Sequence, residues 1–382
     1  GAITLSSDGT SLLLGGTAIG GGGADLYAAN EVSVTTQPSA TGDDAVAIGD
    51  SASASAANSF AMGHSASASA GYSIALGRNA SATGSNGAAV GFNTTAGTQA
   101  IALGNGAVAS GNNSIAGPGG TASGINSNAF GSGAEASNLG GAAFGRYATT
   151  AVNNYNVAIG NSYASGAEAL AAAIANRTAS YGATGANSIA IGNLAKSTNT
   201  QSLAISGNTT TASGIQATSI GGENNTASGT RATALGGSTN YATGQESYAF
   251  GNRASAKEVG KHSYGGYFGF SGTFAGGFGV GGSQGGMMIL GAATTDATPT
   301  VLRSNTSAAG STNQLVAFTD TAITFEGSVT GIQNGAQAFA SFLISGLLVN
   351  DGGTTTLVNS ATTVIDNQSS WALALSADNT NN

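Results

Sequence analysis

Cysteine is absent from the 382 residues, so neither disulfides nor thiol chemistry contributes to fold or function. Charge is nearly as scarce. Only 7% of residues are Asp, Glu, Lys or Arg, and the net charge of −8 comes from acidic and basic residues scattered along the chain. No basic stripe forms, which argues against nucleic acid as a partner. The two histidines, His64 and His262, are far apart, each beside a turn and without a second ligand at metal spacing. Long apolar runs are missing too. The longest, Ala338 to Val349, is interrupted by Ser341, Ser345 and Gly346. It is too short to span a bilayer as a helix and reads as buried strand.

What is present is a repeat. Val46-Ala47-Ile48-Gly49 returns as Phe60-Ala61-Met62-Gly63, Ile74-Ala75-Leu76-Gly77 and Ala88-Ala89-Val90-Gly91. Between the returns stands a second block, SASASA from Ser51 and Ser65, then ASATG from Ala80. The terminal glycine recurs every 13 to 15 residues as far as Gly265, with Ala175 in its place once and an insertion around Tyr181 to Gly185. A chain with 63 glycines and so little charge reads as low-complexity by composition. The sustained period of about fourteen residues reads instead as a β-solenoid of about sixteen coils.

Each coil offers two short strands and two turns. The first strand is apolar at every position, so it needs cover on both faces. The second alternates hydroxyl and methyl, so one of its faces can be wet. A narrow roll covers only one face of the first strand. The expectation is that the large set (Val46, Ile48) fills the roll and the alanine set (Ala45, Ala47) meets another chain. Glycine supplies the positive φ that tight reversals need, and Asn79, Asn105, Asn161, Asn193 and Asn252 tolerate such angles. One coil buries two or three sizeable side chains worth roughly 1.5–3 kcal/mol each. Ordering its backbone costs about 1–2 kcal/mol per residue. A lone coil therefore does not fold, and stacking rescues it. At about 4.8 Å per coil, the array measures roughly 75 Å.

Four segments follow from this reading. Residues 1–43 form an N-terminal connector, with a hairpin of Ile3–Leu5 and Ser11–Leu14 around Asp8-Gly9, a hinge at Gly20–Gly23, and a lead-in loop or irregular first coil from Ala28 to Gly42. Residues 44–265 are the solenoid. Residues 266–286 are a glycine-aromatic transition, read as a cap in which rings fill the end of the roll, or as a sugar-stacking surface. Residues 287–382 are a β domain with candidate strands at 287–290, 299–302, 313–318, 322–327, 338–349, 354–358, 362–365 and 371–376. Asn350-Asp351-Gly352-Gly353 signals a hairpin, and Trp371, Leu373 and Leu375 alternate as a half-buried strand should.

The unit NSIAIG at Asn187 to Gly192, with NVAIG at Asn156 to Gly160, QAIALG at Gln99 to Gly104 and TASG at Thr226 to Gly229, resembles the head repeat of trimeric autotransporter adhesins. That resemblance implies a left-handed parallel β-roll assembled as a homotrimer, all-β, here followed by a C-terminal antiparallel β domain. The run Ala293 to Leu302, with Ser311 to Val316, Trp371 to Thr380 and KHSYGGYF at Lys261 to Phe268, resembles a C-terminal module of tailed-bacteriophage tail-fibre proteins. In that family one or two more strands follow, so the resemblance implies a sheet that is shortened here or completed elsewhere. No heptad stalk or anchoring barrel follows the repeat in this sequence, and the expected location is therefore the virion, with the bacterial cell surface as the alternative.

Chemistry is sparse. No G-x-S-x-G elbow sits between a strand and a helix, and no G-K-[ST] motif occurs. Gly20 to Asp25 resembles one glycine-rich calcium repeat, with no second copy to stack on it. Carboxylates of neighbouring coils, such as Glu246 and Glu258, are the one pairing that stacking could create for glycoside chemistry. The expectation is a protein that is not an enzyme, with no metal and no cofactor. Its expected partners are two further copies of itself, other virion tail or neck proteins, and a host surface glycan or outer-membrane receptor held by avidity. The candidate receptor contacts are Tyr264, Tyr267, Phe268 and Trp371. The first reading is a phage virion fibre protein, a rigid trimeric rod for host attachment that serves as receptor binder or fibre shaft. A bacterial surface adhesin head is the second, and a monomeric ice-binding solenoid with a flat Thr/Ser face is the third.

Overall fold

The structure, a computed structural model, describes residues 5–7, 12–14, 17–19, 36–173, 180–205, 207–266, 284–296, 298–335, 338–367 and 371–379. The chain forms two compact units, residues 1–151 and 152–382.

In the first unit, Leu5–Ser7, Leu12–Leu14 and Thr17–Ile19 make a three-stranded antiparallel sheet, with Leu5 opposite Leu14 and Leu12 opposite Ile19. The predicted pairing is present and gains a third strand. Its turn, Asp8-Gly9, and the glycine stretch from Gly20 lie outside the described residues. Coils then stack from Thr36. The first short strand, Ser39–Ala40, pairs in parallel with Ser53–Ala54, so stacking starts before the regular repeat is legible.

Two parallel sheets run through these coils. One holds three-residue strands, from Val46–Ile48 through Phe60–Met62, Ile74–Leu76, Ala88–Val90 and Ile101–Leu103 to Ala142–Phe144. The other holds two-residue strands, from Ser39–Ala40 to Thr149–Thr150. Register is strict: Ala61 opposes Ala75, and Ala82 opposes Ala96. The second unit repeats the arrangement from Val157–Ile159 to His262–Gly265 and from Tyr163–Ala164 to Ser255–Ala256.

The interior reverses the expectation about which side chains fill it. Ala61, Ala75, Ala89 and Ala102 of the long strands have no exposed surface, and neither have Ala54, Ala68, Ala82 and Ala96 of the short ones. Met62, Ile74, Ile101, Leu103, Phe130, Phe144, Ile159 and Phe250 point outward and are exposed. The reason is the length of the coil. Strands of two and three residues joined by tight turns bring the sheets close together, so the alternation selects small residues inside, alanine at most strand positions and Thr150, Ser197 or Ser219 at a few.

The turns use their residues in a fixed way. Gly77, at φ +133, lies so close to the next coil that a Cβ there would meet the carbonyl oxygen of Gly91 at 2.3 Å. Two residues after many of these repeat glycines the chain is left-handed again, at Ser51, Ser65, Asn79, Asn93, Gly106, Leu194 and Arg253. Of the asparagines expected to take these angles, only Asn79 does. Asn105, Asn161, Asn193 and Asn252 sit one residue earlier, directly after the repeat glycine, and in three of those coils Gly106, Leu194 and Arg253 take the positive φ instead. The serine before the long strand turns inward and caps the turn. Ser59, Ser114, Ser127, Ser202 and Ser247 each donate to the carbonyl three residues back, at 2.6–2.7 Å.

At the C-terminal end of the second unit, Thr321–Ile332, Phe339–Asp351 and Thr354–Asn367 form an antiparallel meander. Gly352 and Gly353 both take positive φ and close the predicted hairpin. Four expectations are corrected here. The candidate at 287–290 is instead a strand at Gln284–Met287. The candidates 354–358 and 362–365 are one strand. Residues 299–302 and 313–318 form no strand. Asn313, buried, donates to Asn305 Oδ1 and to the carbonyls of Ser307 and Ala308, and accepts from Gly310 N, so its amide organises a loop instead. Trp371–Asp378 keeps the predicted alternation of burial but is not itself a strand.

Candidate functional site

The long-strand sheet presents two apolar ladders on its outer surface. In the first unit one column runs Val46, Phe60, Ile74, Ala88, Ile101, Ile115, and the other Ile48, Met62, Leu76, Val90, Leu103. In the second unit the columns run Val157, Leu170, Ile189, Leu203 and Ile159, Ala172, Ile191, Ile205, Ile220. Aromatic rings stack within the ladders, Phe130 on Phe144 with centroids 5.8 Å apart. The last coils end in Tyr248 beside His262 (4.6 Å) and Phe250 beside Tyr264 (5.8 Å). Apolar columns of this kind, interrupted by Asn128 in the first unit and by Thr218 and Thr233 in the second, mark an association surface on a charge-poor chain.

The short-strand sheet presents the opposite character. Ser53, Ser67, Ser81 and Thr95 line up outward, then Thr211 and Thr226 in the second unit. Beside them Ser137 donates to Thr150 O at 3.0 Å and Thr83 to Ala96 O at 3.3 Å. This face is polar, shallow and almost uncharged.

The four candidate contact residues do not gather in one place. Tyr264 is 54% exposed at the end of the apolar face. Trp371 is half-buried, its ring lying where a Cβ on Gly331 would come within 2.8 Å, so it packs on the C-terminal meander. Tyr267 and Phe268 lie outside the described residues, as does most of the glycine-aromatic run.

The carboxylates are not paired with each other. Arg231 binds Glu246, Nε at 3.1 Å, and this hydrogen bond, followed by one from Gln245, holds the Glu246 carboxyl below its ordinary range. The hydroxyl and backbone N–H of Thr298 lower Asp296 likewise. Glu258 is fully buried and binds Lys261 Nζ at 2.8–3.0 Å. His64 stands 3.4 Å from Asp50, and among the described residues no group of three potential metal ligands assembles.

Sequence reasoning missed an internal amide ladder. Asn240 Nδ2 donates to Asn225 Oδ1 (3.1 Å) and to the carbonyls of Gly236 and Gly251 (2.8 and 2.7 Å). Asn240 Oδ1 accepts from Ala254 N at 3.0 Å. The signal was available: Asn225 and Asn240 each stand four residues after the repeat glycine, where most coils carry a smaller residue.

Glycine-closed coils, an alanine interior and one apolar outer face define an all-β solenoid repeat protein. The YadA head domain repeat family matches residues 40–66, 68–94, 96–116, 183–205, 212–239 and 242–262, in coils of both units. These repeats of the chain are similar to that adhesin head repeat. Residues 117–182 fall outside the matched blocks, yet Ala129, Ala143, Ala158 and Ala171 there are buried as elsewhere. No curated protein matches the chain.

Proposed function

We propose that this protein is part of a bacteriophage virion fibre, a homotrimer whose chains meet through the apolar ladders and present the Ser/Thr faces outward for host attachment. The observation that carries the assembly is the apolar column pair itself. Ile101 and Leu103 are 39% and 43% exposed in one chain, and the pattern repeats coil after coil. No single chain can cover it, and a repeating surface suits copies of itself. Attachment then works by avidity, three weak polar contacts offered together on one scaffold. The protein binds rather than catalyses, its partners being a surface glycan or outer-membrane receptor and neighbouring virion proteins.

The virion assignment is supported by the tail-fibre-like residues Ala293 to Leu302, Ser311 to Val316 and Trp371 to Thr380. A bacterial surface adhesin head is the second reading, favoured by the adhesin repeat match. Immunogold electron microscopy with antibody to residues 287–382, on purified virions and on uninfected host cells, separates them. Gold on virion fibres is the expected result. Gold on uninfected cells and none on virions overturns the phage assignment. A solution mass of one chain rather than three overturns the trimer.

A further inference from the structure

A parallel roll has an unmet edge at each end, because every coil donates to the coil above it. Thr226 N bonds Asn240 O, and Tyr241 N bonds Ala254 O, both near 2.8–2.9 Å. The last coil, Ser255 to Gly265, has no coil above. Two of its upward donors are met by the chain that follows. Ser255 N donates to Gln284 Oε1 at 2.6 Å, and Val259 N to Thr312 O at 2.7 Å. The strand Gln284–Met287 pairs with His262–Gly265 antiparallel, the one antiparallel pairing in that sheet among the described residues.

The side chains of this coil change to match. Coils below cap the turn with a serine on a glycine carbonyl, as Ser247 does on Gly244 O. At the same two positions the last coil carries Lys261 and Glu258, and Lys261 N still bonds Glu258 O at 3.3 Å. Their charged groups form a buried ion pair, roofed by Phe318, whose ring centroid lies 5.8 Å from Lys261 Nζ and 4.4 Å from Lys257 Nζ. A buried pair of this kind holds only while it is covered, since exposing it loosens the pairing and removing one partner strands a charge.

We propose that the segment from Gln284 to Phe318, locked down by Glu258 and Lys261, is a terminator that prevents a second copy of this chain from adding to the end of the roll. The exposed first strand, Ser39–Ala40, offers what such an addition needs. It carries the same parallel ladder as every internal coil, so an open last coil fits it. That contact is head-to-tail and does not close on itself, which makes an uncapped roll a seed for filaments.

The test is Glu258→Gly, Lys261→Ser and Phe318→Ser in one full-length chain, which restores the serine–glycine turn and removes the roof. Sedimentation and negative-stain microscopy are expected to show particles joined end to end, growing with concentration, while the unchanged chain gives none. A variant with unchanged far-ultraviolet dichroism and unchanged mass overturns the proposal. Side-by-side trimerisation multiplies mass without joining ends, so the two readings fail separately. Should the variant not fold, hydrogen exchange on the unchanged protein decides. The Ser255 and Val259 amides are expected to be as protected as Tyr241, and exchange at the rate of free amides refutes the cap.

Discussion

Ile101-Ala102-Leu103 gives the sharpest test of how the roll is built. Ala102 has no exposed surface and stands between Ala89 and Ala116 of the adjacent coils. Ala102→Leu forces three extra carbons into a space bounded above and below by Ala89 and Ala116. Overpacking costs about 1–3 kcal/mol where a core can relax, and this one has little freedom to do so. The expected result is a thermal transition lowered by many degrees. Ile101 and Leu103 face outward with about two-fifths of their surface free. Replacing both by Asn leaves the single coil intact. In a trimer it forfeits about 2 kcal/mol of apolar burial per chain, or about 6 kcal/mol for three chains. That is about four orders of magnitude in the association constant. Analytical ultracentrifugation across a dilution series, with circular dichroism on the same samples, reads both effects. If Ala102→Leu altered association alone and the Asn pair unfolded the chain, the arrangement of the interior argued above would be refuted.

Further outcomes follow from single positions. Gly77→Ala is expected to cost more than about 3 kcal/mol by chemical denaturation, since it meets both a positive φ and a carbonyl at 2.3 Å. Gly106→Asn is expected to lie within about 0.5 kcal/mol of neutral, because the space there is open and Asn79 and Asn93 occupy the same turn position. Asn240→Ala removes four hydrogen bonds from the interior and is expected to cost about 3 kcal/mol, with faster amide exchange at Ala254. Arg231→Gln is expected to raise the Glu246 carboxyl pKa, read by carbon-detected NMR titration. A carboxyl depressed in the folded state stabilises above its unfolded pKa and loses that contribution as pH falls through the folded value. The exposure of this pair makes the effect on the thermal transition small.

The period, the all-β class, the two sheets and the Gly352-Gly353 hairpin were legible in the sequence, because backbone reversals every few residues demand glycine at fixed spacing. The outer ladders were legible as columns of large apolar residues, but their direction was not. Alternation separates two faces of a strand without saying which is inside. That choice depends on the distance between two sheets, which the turn geometry sets and no single strand reveals. The same limit applies to Asn313, which sits in a run of strand-forming residues yet gathers a loop through its amide. It applies again to Glu258 and Lys261, two charges of no obvious pattern in a chain nearly free of charge. Only their place in the final coil, with no neighbour above, makes them a buried pair. What the sequence determined by itself was the local rule of the coil, since that rule depends on backbone angles and side-chain size. What the tertiary structure decided was which side faces in and how the stack ends, since both depend on what lies across the gap.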